Sequence, residues 1–144
     1  MAVGQFVFML HSHLPYYRKA GMWPFGEENL YECMSETYVP LLNAISELYD
    51  EGIKAKLTVG ITPILAEQLN DEHLKNGFVE YLDSRIASVS KDLERYPDPK
   101  VPHSQHLKYL AKYYFDWFNS IKDSFVNKYQ MDLVGAFKKF QDLG

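Results

Sequence analysis

Two imidazoles separated by one residue, in His11-Ser12-His13-Leu14-Pro15, form the sharpest chemical feature of this 144-residue sequence. They follow an apolar run and so fall at the C-terminal end of a predicted strand. Strand side chains alternate, so His11 and His13 are expected to point the same way, about 6.6 Å apart along the strand. Such a pair supports two chemistries. Neutral imidazoles can hydrogen-bond to hydroxyl groups of a ligand, or they can ligate a metal ion. The metal reading needs further ligands, and the other histidines, His73, His103 and His106, fall on predicted long helices or their starts. Their i to i+3 spacing could put His103 and His106 on one helix face. For all three, however, solvent exposure or helix-end capping is the expectation.

A second feature follows the histidines directly. Residues Leu14 to Gly26 (LPYYRKAGMWPFG) hold two prolines, two glycines and four aromatic residues without any period. A loop of that length inside a compact domain is commonly functional. Its rings, Tyr16, Tyr17, Trp23 and Phe25, surround Arg18 and Lys19, and flat apolar faces with polar rims suit stacking against pyranose rings. The competing reading is a loop that only packs on its own domain. No Asp or Glu falls at the end of either strand candidate. Glu27 and Glu28, beside the loop, read as stabilisers of a helix start. Ser12 has no nucleophile-elbow glycines around it, and no Gly-rich phosphate loop occurs.

The elements that must position these residues can be read along the chain. Gln5–Leu10 (QFVFML) is a continuous apolar run too short for a helix, and reads as a strand buried on both faces, as in a parallel sheet. A helix begins at Glu27, and Pro40 should kink or divide it. Gly52 stands where a helix C-terminus favours a left-handed residue. Lys56–Gly60 (KLTVG) is the second strand candidate. Thr62 and Pro63 cap and start a helix to Leu69. Asp71–Tyr96 reads as one long helix with Leu74, Phe78, Leu82, Ile86, Val89 and Leu93 as its stripe. A proline-rich break, Tyr96–Pro102, precedes a second long helix, His103–Tyr129, whose Tyr109, Tyr113, Phe118, Ile121 and Phe125 have core spacing. A third helix spans Met131–Leu143 and ends at Gly144. Strand, loop, helix, strand, helix is the order of a parallel α/β unit. Two parallel strands leave unpaired edges, so the chain is expected to be the N-terminal piece of a larger barrel, with a small, mainly helical domain as the alternative.

Composition sets the outer limits. With 47% hydrophobic and 24% charged residues, the chain can form a folded core, and its length suits one domain. A balance of 15 Lys and Arg against 19 Asp and Glu argues against nucleic acid and anionic membranes as partners. The run Phe6–Leu10 lacks the basic start of a signal peptide and the length of a membrane span. Cys33, the single cysteine, fits a reducing compartment, and a cytoplasmic location is expected. Aromatic residues reach 15%, to be explained by a core or a ligand.

The segments LHSHLPYYR (10–18), GMWPFGEENL (21–30), ETYVPLL (36–42) and LTVGITPILAEQL (57–69) occur in the order and at the spacing found in glycoside hydrolase family 57. The sequence resembles the N-terminal part of that family, and within it the α-1,4-glucan branching enzymes, over essentially all of residues 1–144. The resemblance implies an α/β fold, the N-terminal portion of a (β/α)7 barrel with two parallel strands plus several long helices. It implies retaining cleavage of α-1,4 bonds and transfer to 6-hydroxyls. It also implies His11 and His13 as substrate contacts and no metal. Tyr16 and Trp23 join them as expected substrate contacts from the stacking reading of the aromatic loop, and no cofactor is expected. The expected partners are an α-glucan and the remainder of the barrel. The family's catalytic carboxylates lie on later strands, so this polypeptide alone is expected to be inactive. Two other readings are a metal-dependent barrel hydrolase using the His-x-His pair and a non-catalytic glucan-binding or interaction module.

Overall fold

A computed structural model describes residues 3–4, 6–54, 56–96 and 102–143. Two short strands, β1 (Met9–Ser12) and β2 (Thr58–Ile61), pair in parallel, with Met9 opposite Thr58 and His11 opposite Gly60. Among the described residues, six α-helices accompany them: α1 (Glu27–Cys33), α2 (Val39–Asp50), α3 (Pro63–Asn70), α4 (Glu72–Arg95), α5 (Ser104–Asp123) and α6 (Leu133–Leu143). The strand–helix–strand–helix order agrees with the sequence reading. The strand limits do not. β1 starts four residues and ends two residues later than expected and includes His11 and Ser12, while Gln5 falls outside the described residues.

Burial also differs from the expectation for a doubly covered strand. Phe6, Val7, Phe8 and Met9 are all exposed, Phe6 to 89%. The reason lies in the sheet, which among the described residues has two strands and therefore two free edges and little cover. The core is instead built between helices. Leu30 and Tyr31 of α1, Leu42 of α2, Leu65 and Leu69 of α3, Leu74, Phe78 and Leu82 of α4, Ile121 of α5 and Leu133 of α6 are buried together. Such apolar stripes at helical spacing supply most of the stability of amphipathic helices.

Pro40 acts as its chemistry requires. Between α1 and α2 the chain widens into a π-turn, Met34–Tyr38, and the Val39 N–H reaches back to the Met34 carbonyl. The wide turn lets the helix direction continue into Pro40, which has no N–H to give and a ring that crowds the preceding turn. Gly52 ends α2 with φ +75°, the left-handed value anticipated for it. Asp71 caps α4 by accepting the Leu74 N–H at 3.1 Å.

The second long helix needs a correction. α5 ends at Asp123 and passes into a second π-turn, Ser124–Lys128. Of its expected core stripe, Ile121 and Phe125 are buried and Phe118 packs against the core, but Tyr109 and Tyr113 are exposed, Tyr109 to 66%. Helical spacing identifies a face, and on its N-terminal half the Tyr109 and Tyr113 rings stand largely in solvent beside aromatic neighbours of α5 itself. The proline-rich break at 97–101 and the helix end at Gly144 lie outside the described residues.

Candidate functional site

β1 carries alternating exposure: Met9 and His11 face outward, Leu10 and Ser12 inward. His11 stands over Gly60, where a β-carbon would lie 3.3 Å from its Nδ1. The glycine on β2 thus leaves the imidazole its space. Beneath, Tyr38 stands at the end of the first π-turn, and burial pushes its hydroxyl up to about 12, an effect that the neighbouring Ser12 hydroxyl opposes. His13 follows the strand and is exposed, as is His11. Both imidazoles are therefore open to a ligand at the C-terminal ends of the strands, the position where α/β barrels build their sites.

The loop leaving this strand end is held by polar side chains of the helices below it. Gln68 of α3, almost fully buried, donates from Nε2 to the Pro15 carbonyl (3.0 Å) and accepts the Tyr17 N–H at Oε1 (2.7 Å). Arg18 Nε meets Asp71 Oδ2 at 2.6 Å. Glu27 Oε1 accepts the Lys19 N–H at 2.7 Å and lies 2.8 Å from His73 Nε2, while its Oε2 accepts from the Tyr31 hydroxyl at 3.2 Å. Burial alone would raise the Glu27 carboxyl. The Lys19 N–H, His73 and Tyr31 outweigh it and hold the group below its ordinary value. Asp71 shows the same balance, with the Leu74 N–H and Arg18 overcoming burial.

These anchors leave two expected ligand contacts in solvent: Tyr16 is 61% and Trp23 78% exposed. Phe25 is exposed as well, whereas Tyr17 packs against the core. The sugar-stacking reading thus loses Tyr17 and keeps the other three rings. In chain order, His11 lies near the end of β1, His13 follows the strand and Tyr16 opens the loop, while Trp23 lies on the return limb just before α1.

His73 is exposed, as expected from sequence, and it also pairs with the buried Glu27. His103 and His106 are exposed, and His103 precedes α5 in the left-handed region without a side-chain cap bond. Sequence reasoning missed Glu27 and Gln68. The available signal for Gln68 was a polar residue on the same helix face as Leu65 and Leu69. Among the described residues, no group of three His, Cys, Asp or Glu side chains could hold a metal ion, and no helix is long and apolar enough to cross a membrane.

Comparison with known proteins gives this geometry a context. The model of glycosyl hydrolase family 57 matches residues 7–144. A 1,4-alpha-glucan branching enzyme of Thermococcus kodakarensis is 40% identical over 143 residues, 98% of this chain and 20% of that protein. A probable 1,4-alpha-glucan branching enzyme of Mycobacterium tuberculosis is 40% identical over 79 residues, 55% of this chain and 15% of the relative. The crystal structure of a GH57-type branching enzyme from Pyrococcus horikoshii superposes with a TM-score of 0.87 at 37% identity, over 96% of this chain and 25% of that one. The alpha-amylase AmyC from Thermotoga maritima gives 0.78 at 31% identity over the same shares. The chain spans about a fifth of the length of the Thermococcus relative and a quarter of these two solved structures.

Proposed function

The chain belongs to glycosyl hydrolase family 57, and from that premise we propose that it is the N-terminal segment of an α-glucan branching enzyme, supplying sugar contacts to a catalytic barrel. The observation that carries the sugar-contact reading is the fastening of the loop. Its backbone is tied down by Gln68 and Glu27 and its Arg18 side chain by Asp71, while the rings of Tyr16 and Trp23 remain in solvent beside two open imidazoles. Rings that packed on their own domain would be buried. The choice of branching over hydrolysis follows the relatives, since identity and superposition are both higher for the branching enzyme than for the amylase.

In this reading His11 and His13 hydrogen-bond to sugar hydroxyls as neutral imidazoles, contacts of the kind that strengthen as the oxocarbenium-like transition state forms. Tyr16 and Trp23 stack on neighbouring pyranose units. A retaining reaction needs two carboxyl groups about 5 to 5.5 Å apart, and among the described residues neither β1 nor β2 carries an Asp or Glu. Both catalytic carboxyls are therefore assigned to the remainder of the barrel. One attacks the anomeric carbon and forms a glycosyl ester while the other protonates the departing 4-oxygen. A 6-hydroxyl of an acceptor chain then displaces the ester and gives its proton back to the second group.

The free edges of the sheet support the (β/α)7 barrel, because parallel strands are normally covered on both faces and paired on both sides. A cytoplasmic location suits Cys33, whose thiol burial pushes up and so keeps unreactive. The complete gene product carrying this chain, incubated with amylose, should create α-1,6 linkages detectable by proton resonance. His11→Ala and His13→Ala should each lower that rate by roughly ten-fold or more. Release of short sugars without α-1,6 linkages would overturn the branching reading in favour of hydrolysis.

A further inference from the structure

The loop from Leu14 to Gly26 has a composition that resists a single shape, with two glycines, two prolines and four large rings, of which Tyr17 packs against the core while Tyr16, Trp23 and Phe25 stand in solvent. It is nonetheless fixed at both limbs. Gln68 grips the outgoing limb at Pro15 and Tyr17. Glu27 grips the return limb twice, through its carboxylate on the Lys19 N–H and through its own N–H on the Gly21 carbonyl at 2.8 Å.

Helix stabilisation does not account for Glu27. An acidic group in the first turn acts well at the surface, and Glu28, next to it, already fills that role while pairing with Arg85. Glu27 is only 6% exposed, and burying a carboxylate is costly unless it is paired and hydrogen-bonded. Its partners come from three places: the loop, α1 through Tyr31 and the start of α4 through His73. Gln68 is likewise a buried polar group whose hydrogen bonds join the loop to α3.

We propose that Glu27 and Gln68 are positioning residues for glucan binding, a two-point clamp that presents Tyr16 and Trp23 at fixed places beside the strand ends. The proposal rests on the reading of those two rings as sugar contacts. Neither clamp residue touches sugar. Their effect is to settle the ordering of the loop before the ligand arrives, so that each binding event is spared that entropy cost.

The test uses the full chain and maltoheptaose. Calorimetric titration, carried out well below each variant's unfolding midpoint, compares Trp23→Ala, Glu27→Ala, Glu27→Gln and Gln68→Ala. Time-resolved fluorescence anisotropy, in a Trp117→Phe background, reads the local motion of Trp23 without any ligand. Glu27→Ala and Gln68→Ala should each weaken binding roughly ten-fold through a less favourable entropy, and should add a fast component to the Trp23 decay. Glu27→Gln keeps an acceptor for the Lys19 N–H and should recover most of the affinity. A lowered midpoint with unchanged affinity and unchanged anisotropy would show a merely structural role and overturn the clamp. Increased Trp23 motion combined with normal binding by Trp23→Ala would instead sink the underlying sugar reading, and the proposal with it.

Discussion

Gly77 lies inside α4, where glycine costs about 1 kcal/mol relative to alanine. Its presence is explained by Tyr31. A β-carbon at position 77 would stand 2.1 Å from the Tyr31 hydroxyl oxygen and 3.0 Å from Cζ. That ring cannot retreat, because it is buried and packs against Phe78 and Tyr81 with centroids 6.0 and 5.7 Å away. Gly77→Ala should therefore lower stability by about 1 to 3 kcal/mol despite the better helix propensity, read as a shift in urea midpoint. Tyr31→Phe removes both the clashing oxygen and a hydrogen bond to Glu27, alone costing about 1 kcal/mol. Combined with Gly77→Ala, its loss should be smaller than the sum, since the two changes share one contact. An additive pair, or a stabilised Gly77→Ala, would show that the ring moves freely.

At the scale of elements, the start of α4 joins capping to loop anchoring through one carboxylate. Asp71 caps the helix through Leu74 and holds Arg18 of the loop. Asp71 and Glu27 are both lowered in the folded state. Their stabilising contribution is therefore fully present above their ordinary carboxyl values and is lost as pH falls through the folded ones. Cleavage in the loop, scored at each pH against an unstructured peptide with chymotrypsin near neutrality and an acid protease below it, is expected to stay slow from neutrality down to about pH 5 and to rise on further acidification. In Asp71→Asn the rise should shrink and basal cleavage should increase. A cleavage rate independent of pH down to global unfolding would contradict this. The helices were legible in the sequence because Leu74, Phe78 and Leu82, or Leu65 and Leu69, repeat with the helical period. Pro40, Gly52 and Asp71 are punctuation whose local chemistry needs no tertiary information. His11 and His13 were legible as a pair at a strand end for the same reason. Glu27 and Gln68 were not, because what distinguishes them is a partner 8 to 53 residues away. Tyr109 and Tyr113 misled because period tells which residues share a face and not whether anything lies against it.

For the whole molecule, the decisive feature is apolar surface around a sheet with two open edges. Phe6, Val7, Phe8 and Met9 are exposed in succession before and within β1. A groove beside β2 is lined by Leu57, Val59 and Ile61 from the strand side and by Val134, Phe137 and Phe140 of α6. Exposed runs of this kind on a strand with unpaired N–H and C=O groups template further pairing. In a barrel they would be covered by neighbouring strands and helices. The 144 residues produced alone should therefore associate with rising concentration, as seen by sedimentation, and should bind a hydrophobic dye. Phe6→Lys with Phe8→Lys should suppress the association without lowering the unfolding midpoint, because neither ring belongs to the core. Supplying the remaining barrel as a separate polypeptide should quench the dye signal and restore glucan branching. A monodisperse, dye-silent chain at high concentration would mean that its own helices suffice to cover the sheet, and the small helical domain would then replace the barrel as the architecture.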